Sequence, residues 1–216
     1  MKRLFIIRHG KTQWNLEKRL QGAGANSPLL TDDLTGYEQL AAYLDTYRFS
    51  QVYSSPIERA VDTAKLVTLR MKQPIDDIQL LPDLKELSFG EWEGKTKAEL
   101  IVAQPDLFKQ LSKRQNDPGL TAIGVEDFNA AQQRYVRALD QITASLGPDE
   151  NALIFSHGGI SQLGIKGATG NQHLLGLKNL STSILGVRPD GYYVDVYNQT
   201  AYLNHVDLNE GNVSII

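Results

Sequence analysis

Two short apolar runs, Leu4–Ile7 and Ala152–Phe155, constrain this chain more than any other feature. Each is uninterrupted rather than alternating, and each breaks at a polar turn: Arg8-His9-Gly10 after the first, Ser156-His157-Gly158-Gly159 after the second. A continuous apolar run of this length is the mark of a strand buried on both faces, which requires a mainly parallel sheet covered by helices on each side. The intervening sequence supplies those helices. Leu34, Tyr37, Leu40, Ala41, Leu44 and Tyr47 recur at three- and four-residue spacing, predicting an amphipathic helix over 34–47. Gln51–Ser54 reads as a strand, and Ser55-Pro56 as the start of a helix with proline in its first position, running to about Arg70. Residues 95–146 read as mostly helical, broken at Pro105 and at 116–119, with Asp127 capping the last helix. Ser183–Val187 and Tyr192–Tyr197 flank Arg188-Pro189-Asp190-Gly191, a hairpin signal. The predicted fold is a three-layer α/β/α sandwich with a mainly parallel sheet, an antiparallel edge strand, and a helical insertion at about 90–125 over the sheet. No linker-like stretch divides it, so residues 1–216 are expected to form one domain.

Composition narrows the function classes. The 216 residues hold 22 Lys+Arg against 25 Asp+Glu, a net charge of −3, so no basic footprint for nucleic acid is present. With no cysteine, disulfide frameworks, thiolate metal sites and cysteine nucleophiles are excluded. The apolar runs are too short for a bilayer span, and four apolar residues after Met1-Lys2-Arg3 are too few for a signal-peptide core. These features predict a cytoplasmic protein without membrane partners. Oligomeric state leaves no signature in the sequence.

Ligands of open α/β sheets bind beyond the carboxyl ends of the strands. Three strand ends here carry unusual side chains: Arg8-His9, then Ser54-Ser55 leading to Arg59, then Ser156-His157. Two imidazoles and two guanidiniums on one sheet edge repel one another unless an anion joins them. Arginine offers a permanently charged fork of donors suited to phosphate oxygens, and helix N-termini opening at turns such as Gly158 add backbone N–H groups. A phosphoryl group is the guest these residues predict. No metal-ligand spacing such as His-Glu-x-x-His accompanies them.

Arg8-His9-Gly10-Lys11-Thr12, Trp14-Asn15, Ser54-Ser55-Pro56 with Arg59-Ala60, Glu86 through Gly94, and Ser156-His157-Gly158-Gly159 resemble, in this order, the histidine phosphatase superfamily. Within it they resemble the branch of cofactor-dependent phosphoglycerate mutases and their bacterial phosphatase relatives. The resemblance implies that His9 is transiently phosphorylated, that Arg8, Arg59 and His157 surround the phosphoryl group, and that Glu86 is the proton donor. It places Asn15 at a phosphate-contacting position and brings Gln21 and Gly22 toward the phosphate. Phosphoryl transfer to an imidazole nitrogen in this way needs no metal, and no cofactor is expected. The chemistry agrees: a neutral imidazole is a competent nucleophile, and splitting one displacement into two lowers the barrier of each. His157 is expected to be protonated or to donate a hydrogen bond. Asp83, Glu91 and Glu93 are rivals to Glu86 that spacing alone does not exclude. An insertion with only Lys113 and Arg114 as basic residues, and Gln21 where mutases carry a small hydroxyl residue, favour a phosphomonoester hydrolase of a small phosphorylated metabolite over a mutase. A phosphate-binding module with little turnover is the alternative from another class.

Other residues carry structural expectations. Phe89 and Trp92 are expected to pack the turn in preference to lining a leaving-group pocket, His173 and His205 to lie at the surface or in packing, and Lys113-Arg114 to form a solvated helix face in preference to meeting an acidic substrate. Residues 21–28 read as a loop near the site. Lys11 stands where the resembling family commonly has an acid, and Leu29–Gly36 departs from its usual approach to the next helix.

Overall fold

The computed structural model describes residues 1–75 and 77–207. Strands β1 (Arg3–Arg8), β2 (Gln51–Ser54), β3 (Ile78–Leu80), β4 (Asn151–Ser156), β5 (Thr182–Arg188) and β6 (Gly191–Gln199) form one sheet in the order β3-β2-β4-β1-β5-β6. The pairs β3·β2, β2·β4 and β4·β1 are parallel, whereas β5 runs antiparallel to β1 and β6 antiparallel to β5. The antiparallel strand therefore lies one in from the edge, because its hairpin partner β6 takes the edge position. Strand β3, Ile-Gln-Leu, is half-buried to exposed and too short to carry a periodicity, so the sequence does not announce it.

The helices are α1 (Gln13–Leu16), α2 (Thr35–Leu44), α3 (Glu58–Thr68), α4 (Lys97–Ala103), α5 (Pro105–Ser112), α6 (Pro118–Ala122), α7 (Phe128–Ser145) and α8 (Gly158–Thr169). Alternation along the central strands serves both faces. Leu4 and Ile6 of β1, with Ala152 and Ile154 of β4, pack among side chains of α7 and α8. Phe5 and Ile7, with Leu153 and Phe155, pack under α2 and α3. These eight side chains are wholly buried, and burial of each large one stabilises the fold by about 1.5–3 kcal/mol. That two-sided burial is why the runs are continuous.

Pro105 and Pro118 each open a helix, where a missing N–H costs nothing, and Asp127 caps α7 by accepting from the Ala130 N–H. Pro56 does not open α3. The helix begins at Glu58, since Ser55 Oγ accepts from the Ile57 N–H at 3.2 Å and makes Ser55–Ile57 a turn ahead of it. The short helices α4–α6 occupy the stretch read as a helical insertion.

β1 and β4 lie side by side with Arg8 opposite Ser156, so His9 and His157 emerge together at their carboxyl ends. The chain leaving β1 passes to α2 on one face, and the chain leaving β4 passes to α8 on the other. The crevice between such diverging connections is where an open α/β sheet holds its ligand.

Candidate active site

A cavity of about 390 Å³ opens at this point, and Arg8, His9, Asn15, Gln21 and Glu86 line it. Register places His9: its backbone N–H donates to the Ser156 carbonyl at 3.0 Å, extending the β1·β4 ladder by one residue. Gly10 must follow, because a Cβ there would collide with the Tyr37 side chain. The Gly10 N–H donates to Thr63 Oγ1 at 2.9 Å, fixing that peptide. Its carbonyl lies 2.7 Å from His9 Nδ1. A carbonyl only accepts, so Nδ1 carries the proton and Nε2 presents its lone pair. The Arg59 Nε–H donates to that Nε2 at 3.3 Å. Burial first, then the charges of Arg59 and Arg8, holds the His9 pKa well below 6.5. The ring is a neutral base at physiological pH.

Arg8 and Arg59, the surrounding cations, both donate to backbone carbonyls. Arg59 donates through Nη2 to the Gly22 carbonyl at 3.0 Å and through Nη1 to that of Ala25 at 3.3 Å. Arg8 donates through Nη1 to the Leu177 carbonyl at 2.5 Å. Burial draws Arg59 down to about 10, leaving it charged at neutral pH. His157 lies with its ring centroid 5.2 Å from that of His9, and its Nε2 pairs with Ser55 Oγ at 2.8 Å. Burial, then Arg59, His9 and Arg8, holds His157 well below the ordinary imidazole range. In this arrangement it is neutral, not the cation that charge compensation alone would favour. Arg8, His9, Arg59, Glu86 and His157 are all at most 6% exposed.

The four carboxylates that spacing left open are separated by geometry. Asp83 faces Arg137 at 3.7 Å, Glu91 is exposed, and Glu93 accepts from the Phe89 and Gly24 N–H groups. Of the four, Glu86 alone lines the cavity. Its carboxylate accepts from the N–H groups of Leu87 (2.9 Å), Gly159 (3.0 Å) and Ile160 (2.7 Å), the last two in the first turn of α8.

Asn15 is turned inward by a capping box at α1, its Oδ1 accepting from the Thr12 N–H at 3.1 Å. Gln21 Oε1 accepts from Thr12 Oγ1 at 2.8 Å. Among the described residues, Gln21 Nε2 and His157 Nδ1 are buried polar atoms with no hydrogen-bond partner. Gly22 and Gly158 lie outside the cavity lining, Gly22 serving Arg59 through its carbonyl.

Three further residues reach the site: Asn179 and Lys97, which no sequence pattern marks, and Arg114, for which a solvated face is the favoured sequence reading over contact with an acidic substrate. Asn179 donates through Nδ2 to the His9 and Gly10 carbonyls at 2.9 and 3.1 Å. Lys97 lines the cavity, and burial, then Arg114, Arg8 and Lys18, lowers it to about 8. Arg114 corrects the expectation of a solvated face. A left-handed turn after α5 (φ 55°) sets its guanidinium 5.8 and 5.7 Å from the ring centroids of Phe89 and Phe128, whereas Lys113 stays exposed. Phe89 packs the turn and also lines the cavity, Trp92 is buried against Phe108, and His173 and His205 are exposed. Among the described residues no cluster of three His, Cys, Asp or Glu is placed to hold a metal.

A buried imidazole with an unprotonated Nε2, set among fixed cations at the carboxyl end of a parallel sheet, defines a nucleophilic site for an anionic phosphorus centre. The chain belongs to the histidine phosphatase superfamily (branch 1), whose family model matches residues 4–200. It is similar to a metal-independent phosphoserine phosphatase of Arabidopsis thaliana, 29% identical over 212 residues covering 94% of this chain and 84% of the relative. It is 32% identical over 212 residues, 93% of its length, to a bifunctional protein of Mycobacterium tuberculosis, of which it spans 55%. The solved structure of Bacillus stearothermophilus YhfR is similar with a TM-score of 0.80 and 25% identity, covering 94% of this chain and 99% of that one.

Proposed function

We propose that the chain is a metal-independent phosphomonoesterase of the cytoplasm that hydrolyses a small phosphorylated metabolite through a phosphohistidine at His9. The observation that carries this reading is the His9 Nδ1 hydrogen bond to the Gly10 carbonyl, which leaves Nε2 unprotonated, its lone pair turned toward the cavity and met by the Arg59 Nε–H. In the first step Nε2 forms a bond to phosphorus, the ester P–O bond breaks, and the leaving oxygen takes a proton from Glu86. In the second, Glu86 takes a proton from water, the water oxygen bonds to phosphorus, and the N–P bond breaks, returning its electron pair to Nε2. Arg8, Arg59 and His157 stabilise the charge on the phosphoryl oxygens, as donors fixed before the reaction. Asn15, Gln21 and backbone amides near Gly22 and Gly158 complete the binding of that group.

Lys97 and Arg114 give the cavity cations beyond those the phosphoryl group needs, and this favours leaving groups carrying negative charge of their own. The same two residues keep a mutase reading in view, since a mutase must hold a second anion. Assay with 3-phosphoglycerate and catalytic bisphosphoglycerate in EDTA separates the two. Free phosphate is expected to appear faster than 2-phosphoglycerate; the reverse order identifies a mutase, and binding without turnover identifies a phosphate-binding module.

A further inference from the structure

Glu86 lies in a segment, 85–88, that has no helix or strand to orient it. Carbonyls within it and just ahead of it, from Asp83 to Glu86, are held instead by two side chains from elsewhere in the fold. Ser156 Oγ donates to the Leu84 carbonyl at 2.9 Å. Arg134, on α7, supplies the rest. Its Nη1 donates to the carbonyls of Asp83 and Lys85, both at 2.8 Å, and its Nη2 to the carbonyl of Glu86 itself at 3.1 Å. The two remaining guanidinium N–H groups form a fork on Glu126: Nε to Oε1 at 2.7 Å and Nη2 to Oε2 at 2.9 Å. All five donors of one side chain are thus committed, with the side chain only 14% exposed. Glu126 Oε2 also accepts from the Ser88 N–H at 3.3 Å, so the pair grips the chain on both sides of Glu86.

We propose that Arg134, held by Glu126, is the positioning residue of Glu86, fixing the peptide segment from which that carboxyl reaches the leaving oxygen. Arg134 does not line the cavity, so its contribution is the placement of the acid and not contact with substrate. The proposal rests on the reading of Glu86 as proton donor. A planar fork with five directed donors has no substitute in lysine, which offers a single point charge. A misplacement of about 1 Å in a catalytic group costs on the order of 10²-fold in rate.

The test compares kcat/KM for phenyl phosphate, whose leaving oxygen needs a proton, with p-nitrophenyl phosphate, whose leaving anion is stable without one. Arg134→Gln is expected to lower the phenyl to p-nitrophenyl ratio by about 10- to 100-fold, Arg134→Lys less, and Glu126→Gln less again. In a Glu86→Gln background, Arg134→Gln should lower the ratio no further. Equal slowing of both substrates by the Arg134 variants, or a full additional loss in the double variant, makes Arg134 merely structural and overturns the proposal. If Glu86→Gln itself leaves the ratio unchanged, the acid reading fails first, whatever Arg134 does. Should Arg134→Gln not fold, Arg134→Lys and Glu126→Gln carry the same comparison.

Discussion

Lowering the pH from about 7.5 to about 5.5 tests whether the two site imidazoles are neutral in the folded protein. Both His9 and His157 are held well below 6.5 in the native state, first by burial and then by Arg59 and other neighbouring charges. Unfolding exposes them to water, where they titrate near 6.5. Below that pH the unfolded chain binds protons that the native chain refuses, so stability present in full above 6.5 is lost as pH falls beneath it. The loss continues until the native imidazoles themselves take protons. At about pH 5.5, one unit below the unfolded value, each imidazole costs at most about 1.4 kcal/mol relative to about pH 7.5, and the two together at most about 2.7 kcal/mol, the ceiling reached when neither native ring takes a proton. Carboxylates also contribute to the total, so the informative quantity is a difference. Urea unfolding in phosphate-free buffer, run on the parent and on His9→Asn and His157→Asn, should show each variant's pH dependence shallower than the parent's, by up to about 1.4 kcal/mol over this interval. Parallel curves for the parent and both variants would mean that the folded imidazoles bind protons as the unfolded ones do. Nε2 of His9 would then not be a free nucleophile, and the reasoning would be refuted.

Two substitutions probe the supports of the site. A Cβ at position 159 would sit 2.9 Å from Glu86 Oε1 and 3.3 Å from Arg114 Nη2. Gly159→Ala should therefore slow phenyl phosphate hydrolysis by about tenfold or more relative to p-nitrophenyl phosphate while leaving the Tm within a few degrees, read by steady-state kinetics and thermal melting. Ser55→Ala removes both the partner of His157 Nε2 and the acceptor of the Ile57 N–H, and should cost about 1–3 kcal/mol in urea unfolding, since it leaves a buried ring nitrogen without a hydrogen bond.

The parts of the fold legible in the sequence are those where one physical requirement dominates. β1 and β4 are apolar on both faces because helices cover both, and the two His-Gly turns mark where those strands reach the crevice. Pro105, Pro118 and Asp127 announce helix starts because each solves the problem of unpaired N–H groups. Pro56 misleads because Ser55 is engaged by His157 and Ile57, contacts invisible in a local window. β3 escapes such reading because three residues, Ile78-Gln79-Leu80, are too few to distinguish alternation from chance. Within the site, His9, Arg8, Arg59 and His157 could be placed from strand ends, whereas Glu86 could be separated from Asp83, Glu91 and Glu93 only through family resemblance. Arg114 enters the site through a left-handed residue after α5, and Asn179 through a loop before β5; no periodicity encodes either. Arg134 lies 48 residues from Glu86 and makes its contact through the carbonyl, a relationship that only tertiary structure reveals.

Everything in the proposed reaction passes through one covalent bond. Rapid mixing of the protein with a ³²P-labelled phosphomonoester, alkaline quenching and peptide mapping measure that bond directly. The label is expected on the peptide containing His9, at Nε2, stable to base and lost in acid, and absent from His9→Ala. Label on Ser54, Ser55 or His157, or turnover with no labelled intermediate under single-turnover conditions, would contradict the account.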